Sequence, residues 1–198
     1  MTNKLNVVSP KNDIYVIDPK NINKKITTYY LNKHGFFKIK YYIQNSYNET
    51  IFKSTYSTSC NYGKLKNPKN DEVLYIFNNI THFLRPNELI ISSFKNGRET
   101  VNDICKVRDN SIFTSLNYEI IFFNKATEKK ELLQIEYSKK YCRIYHGGVM
   151  ICKFNFSYSF TEDSKIEIAP NVDTLFILII VIDIYRLVQR KMAAATAA

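Results

Sequence analysis

The stretch Asp173-Thr174-Leu175-Phe176-Ile177-Leu178-Ile179-Ile180-Val181-Ile182-Asp183-Ile184-Tyr185-Arg186-Leu187-Val188 decides the fold of this chain. It is the most apolar run in the sequence, and it is either a membrane span or a core element. Spanning a bilayer takes about 20 mainly apolar residues, whereas here only Leu175 to Ile182 run uninterrupted before Asp183. A charge near the middle of a span also costs about 2.5–3.5 kcal/mol. The run therefore reads as a core helix within residues 171–191, with Leu175, Phe176, Leu178, Ile179 and Ile182 in the core. Asn171 or Asp173 can cap its start, and Arg186, Arg190 and Lys191 would meet the negative end of the dipole. The many Ile and Val residues leave a buried strand as the alternative, because periodicity does not separate the two in a short apolar run.

A helix apolar on every side has to be surrounded by protein, and strands are what the rest of the sequence offers. Phe37, Ile39, Tyr41 and Ile43 alternate with polar neighbours, the period of a half-buried strand, and Thr50 to Tyr56 is the natural hairpin partner across Asn45–Asn48. Further strands read at Glu72 to Phe77, Leu89 to Phe94, Tyr118 to Phe123, Leu132 to Tyr137, Tyr141 to Tyr145, Val149 to Phe160 and Lys165 to Ile168. His146-Gly147-Gly148 marks a tight turn. Short regular strands with little helix between them predict a mostly β protein, an antiparallel sandwich or barrel closed around the C-terminal helix. Residues 1–30 read as an N-terminal arm or first strands, 31–191 as the barrel domain, and 192–198 as a tail that is either a frayed helix end or an appended sequence.

Residues 149–188, and above all Lys165-Ile166-Glu167-Ile168-Ala169-Pro170-Asn171-Val172-Asp173, resemble the closing segment of the tubby C-terminal-like superfamily, in particular its LURP-one-related and phospholipid-scramblase branches. Those domains end in a strand of the type Y-x-I-x-I-A-P-G-x-D followed by an apolar helix. Asn171 stands here in place of the usual Gly. The resemblance implies a closed barrel of about twelve antiparallel strands with the hydrophobic helix threaded through its middle. It implies no enzyme active site, and it associates the chain with phosphoinositide or phospholipid contact.

With 198 residues, 45% hydrophobic, the chain can bury a core of ordinary single-domain size. Its charge of +10 is uneven: residues 1–70 hold 12 Lys against Asp13, Asp18 and Glu49, which leaves the remainder nearly neutral. Such a balance suits an anionic partner, although the joint enrichment of Lys, Asn, Ile and Tyr is also what an AT-rich coding sequence produces. Cys60, Cys105, Cys142 and Cys152 form no CxxC pair, and the N-terminus shows no secretory leader, so free thiols and a cytoplasmic setting, at most peripheral to a membrane, are the expectation. The sequons at Asn48, Asn79 and Asn155 are then expected to stay unmodified.

Catalysis has no visible carrier: His34, His82 and His146 lack a nucleophile-elbow context, and no GxSxG, HExxH or Gly-rich phosphate loop occurs. Cys142 and His146 do not converge as zinc ligands in a strand and turn. Glu162 and Asp163 are weak calcium candidates, since the calcium-loop pattern is missing. No cofactor is expected. The candidate lipid-binding residues are Lys24, Lys25, Lys38, Lys40 and Lys53, several on the polar face of the Phe37–Ile43 strand beside Tyr42. The leading expectation is a non-catalytic protein that meets an anionic membrane surface through these lysines. The alternatives are a scramblase-like protein anchored by residues 174–188 and a binder of single-stranded nucleic acid, the latter disfavoured by the absence of Arg from the basic third. Oligomeric state is not legible.

Overall fold

Strand follows strand around a single circuit. β1 (Thr27–His34), β2 (Ile39–Asn45), β3 (Thr50–Tyr56), β4 (Tyr62–Lys66), β5 (Val73–Ile80), β6 (Asn87–Lys95), β7 (Arg98–Asp109), β8 (Leu116–Asn124), β9 (Lys129–Tyr137), β10 (Tyr141–His146), β11 (Val149–Asn155) and β12 (Ser164–Ile168) each pair antiparallel with the next. The circuit closes where β12 meets β1, with Tyr29 opposite Ile166 and Thr27 opposite Ile168. Closure gives every strand a neighbour on both sides, with residues 98–105 of β7 reaching past β8 and pairing only with β6. This computed structural model describes residues 6–34, 39–56, 61–110, 116–138, 141–155 and 163–196, without the side chains of residues 39, 56, 116 and 189–196. Phe37, Lys38, Cys60, Phe156–Phe160 and Glu162 lie outside the described residues.

Alternation along each strand sends one set of side chains inward. Tyr41 and Ile43 of β2, Phe77 of β5, Phe122 of β8, Ile135 of β9 and Phe154 of β11 are all buried. They surround α1 (Thr174–Thr196), the apolar C-terminal run, which is a helix and not a strand. Every residue from Thr174 to Arg186 is buried, including Leu175, Phe176, Leu178, Ile179 and Ile182. The Phe176 ring lies 5.2 Å from Phe122, and the Tyr185 ring 5.7 Å from Phe154. At 23 residues the helix outruns its uninterrupted apolar core, and no helix among the described residues is long and apolar enough to cross a membrane. Strands enclose Thr174 to Arg186, and an anchoring role for residues 174–188 would have to expose them.

At the helix ends the structure selects one of the two candidate caps and corrects one expectation. Asp173, and not Asn171, is the cap: its Oδ1 accepts from Phe176 N at 3.2 Å. Asn171 instead takes a left-handed φ of 64°, which explains why glycine suits this position and why Asn is tolerated. Arg186 does not lie at the helix C-terminus, since α1 runs on to Thr196, and it meets Asp183 inside the barrel.

The N-terminal arm closes the end of the barrel at which α1 begins. Val7, Ile14, Val16 and Ile17 are buried, and Ile14 bridges to Val172 while Ile22 bridges to Asp173. Val8 N donates to Met150 O at 2.8 Å, and Asn124 Nδ2 donates to Asp13 O at 3.0 Å. The short 3₁₀ turn Pro19–Asn21, started by the Asp18 side chain, then leads to β1. At the same end Gly147 and Gly148, both at positive φ, make the two-residue turn that joins β10 to β11.

Candidate functional site

Outward-facing residues of β2, β3 and β4 form the basic face. Register places Lys53 directly opposite Tyr42 on one side and Lys66 on the other, and Lys40 opposite Thr55. Lys53 and Lys66 thus form a like-charge cross-strand pair, an arrangement that is normally destabilising. Lys40, Lys53 and Lys66, with Tyr42, Thr55 and Asp71, line a cleft of about 230 Å³.

Asp71 sits in the loop between β4 and β5, and that loop is held by its own backbone. Asn67 N donates to Glu72 O at 2.8 Å, and Asp71 N donates to Asn67 O at 3.0 Å. Asp71 adopts φ 57°, which Asp tolerates better than most residues. Its Oδ1 accepts from Lys53 Nζ at 3.1 Å. That hydrogen bond and the Lys53 charge, with Lys66 and Lys40 behind them, hold the exposed carboxyl below its usual range. Three ammonium groups around one carboxylate leave the cleft with a surplus of positive charge. Its volume is below the roughly 300–1,000 Å³ of ordinary small-molecule pockets, so a compact charged group suits it better than a drug-sized ligand.

The predicted lysines divide. Lys40 and Lys53 come together here. Lys24 and Lys25 lie in the segment before β1, at the end where the helix starts, and Lys24 Nζ is taken by Asn171 Oδ1 at 3.2 Å and Asp13 Oδ2 at 3.6 Å. Lys38 lies outside the described residues. Lys66 and Asp71 are the charged members of the cleft that sequence reading does not nominate. The signal for Lys66 is the Lys64–Lys66 alternation of β4, too short at five residues to stand out.

A second cleft of about 230 Å³, lined among the described residues by Asn117, Glu136, Tyr137, Ser138, Tyr141 and Arg143, carries both signs of charge. Among the described residues no three His, Cys, Asp or Glu side chains gather to hold a metal ion, and Asp163 is exposed just before β12. Cys142 is buried, and burial pushes its thiol well up. His146 is engaged instead by Glu131, at 2.7 Å.

A closed twelve-stranded antiparallel barrel wrapped around a hydrophobic C-terminal helix is the architecture that the resemblance in residues 149–188 implies. The sequence model of the LURP-one-related family matches residues 27–184, from the first residue of β1 into α1, and the chain belongs to that family. The family is generally non-enzymatic. Neither the curated proteins nor the solved structures searched hold a match to the chain.

Proposed function

We propose that this protein is a non-catalytic module of the cytoplasm that docks on anionic phospholipid or phosphoinositide head groups through the Lys40–Lys53–Lys66 cleft. The observation that carries this reading is the Lys53–Lys66 juxtaposition. Two ammonium groups facing each other across a strand pair cost the isolated protein stability, and Asp71 offsets only part of that cost. A phosphate group would supply the missing negative charge and accept from all three lysines. At a membrane surface each such lysine adds about 1 kcal/mol, so the attachment is reversible and weakens with salt.

Vesicle flotation tests this. The protein should float with phosphatidylcholine vesicles containing phosphatidylserine or a phosphoinositide, stay behind with phosphatidylcholine alone, and be released by salt. Reversing Lys40, Lys53 and Lys66 to Glu should abolish flotation while the melting transition survives. Flotation unaffected by the reversal, or a preference for single-stranded RNA in direct competition, would remove the proposal.

A further inference from the structure

The loop joining β5 to β6, residues 81–86, carries Phe83 and Leu84 at its tip, 97% and 91% exposed. No other large apolar side chain among the described residues exceeds Tyr47 at 83%. Isolated exposed apolar residues need no explanation, but two in succession at the apex of a connection contribute nothing to the core and meet water in full.

The apex stands on a fixed base. His82 N donates to Asn87 Oδ1 at 2.9 Å, and Glu88 lies between Lys106 and His82. Just before β4, Asn61 O accepts from Asn79 N at 2.7 Å, which seats Tyr62 beside the loop. Tyr62 is half-exposed, with Lys64 Nζ 5.5 Å above its ring. Arg85 is exposed next to the apex. β2 begins at this same rim, with Lys40 opposite the last residue of β1.

We propose that Phe83 and Leu84 form an insertion tip that enters the acyl region of an anionic bilayer while Arg85, Lys64 and Tyr62 stay at head-group level. The proposal rests on the anionic-surface reading above and adds to it a hydrophobic contact at the end of β5 away from the Asp71 loop, the end at which only Lys40 of the cleft lies. The order of side chains, apolar at the extremity and then aromatic and cationic behind it, is the depth order of a membrane interface. Charge favours this occupant over a neutral protein groove, because the tip is flanked by cations on a chain of formal charge +10.

The chain contains no Trp, so Phe83→Trp creates a single fluorescent reporter at the tip, and Leu84→Trp a second. With the full chain on phosphatidylcholine–phosphatidylserine vesicles, the indole emission should shift to the blue and be quenched by lipids brominated on the acyl chain. The Phe83→Ser/Leu84→Ser variant should partition roughly tenfold more weakly with an unchanged melting temperature. Protein that floats while its indole stays in water and open to iodide overturns the insertion and leaves head-group binding standing. Protein that does not float at all takes both readings down. A blue shift that appears without vesicles as protein concentration rises would make a second copy, and not a bilayer, the occupant of the tip.

Discussion

Asp183 and Arg186 form an ion pair of 2.9 Å one helical turn apart, inside the barrel, with their side chains 3% and 4% exposed. Asp183 also accepts from Asn79 Nδ2 of β5 at 2.6 Å, so the charged step in the helix is tied to the wall that surrounds it. Removing one partner strands the other charge in a dry interior, which costs about 3–5 kcal/mol, whereas replacing both by apolar residues of similar volume is often neutral. Asp183→Leu alone should therefore lower stability by about that amount in urea denaturation, and Asp183→Leu/Arg186→Leu should recover most of it. A double variant no more stable than the single one would show that the pair stabilises the barrel outright.

Gly63 of β4 lies opposite Phe77 of β5, and the Phe77 ring occupies the space that a side chain on Gly63 would need. A Cβ there would stand 2.2 Å from Phe77 Cζ, and Phe77 is fully buried, so the ring has no room to retreat. Overpacking of this kind typically costs 1–3 kcal/mol, on the order of a full side-chain contact. Gly63→Ala should lower the midpoint of thermal unfolding, and Phe77→Leu in the same chain should restore part of the loss. Equal destabilisation with and without the Phe77 change would mean that the cost arises elsewhere in β4.

The enclosed helix was legible because two independent features pointed the same way: Asp183 interrupts the apolar run too early for a span, and alternating strands supply a wall. β2 and β12 show themselves by alternation, and β3, β5, β6 and β8 to β11 by apolar runs between turn signals, whereas the five-residue β4 gives no such sign. β7, the longest strand, gives none either, because only Cys105 and Val107 along Arg98–Asp109 are buried and the remaining positions read as loop. The first strand was merged with the arm for a related reason: Thr27-Thr28-Tyr29-Tyr30 offers no polar-apolar contrast in which Tyr29 alone can be seen to face inward. Of the candidate cleft, the charge count points to the third of the chain that holds Lys40, Lys53 and Lys66. Which lysines meet is set by register, and register depends on pairing partners that one sequence does not display.

Glu167 of β12 is bound on the outer face by Lys153 of β11, at 2.7 Å, and by Lys165, at 2.7 Å. Burial alone would push its carboxyl up, but the hydrogen bonds from Lys153 and Lys165 and the two charges outweigh burial and hold it below its ordinary value. A carboxyl depressed in the folded state contributes stability that is complete above the unfolded value of about 4.3 and is lost as pH falls through the folded one. The melting temperature should drop on acidification below about pH 4.5, and Glu167→Gln should flatten that part of the profile while lowering the plateau at neutral pH. An unchanged acid limb in the variant would assign the loss to other carboxylates.

Asp173 joins two parts of the molecule with one carboxylate. Oδ1 caps α1 through Phe176 N, and Oδ2 accepts from Ile17 N at 2.7 Å and Val16 N at 3.3 Å, so the helix start and the N-terminal arm share a single buried group. Burial pushes its carboxyl up despite these donors. Asp173→Asn keeps an acceptor for the helix but offers an amide to Val16 and Ile17, whose N–H groups then lose their partner; Asp173→Ala loses both functions. A cap is worth about 0.5–2 kcal/mol, and each buried backbone donor left unpaired costs about 1–3 kcal/mol. The Asn variant should speed hydrogen exchange at Val16 and Ile17 while protection in α1 holds, and the Ala variant should speed both. Exchange that rises at the helix start and the arm together in the Asn variant would mean that the arm does not open independently, and that closing the barrel end and starting the helix are one cooperative event.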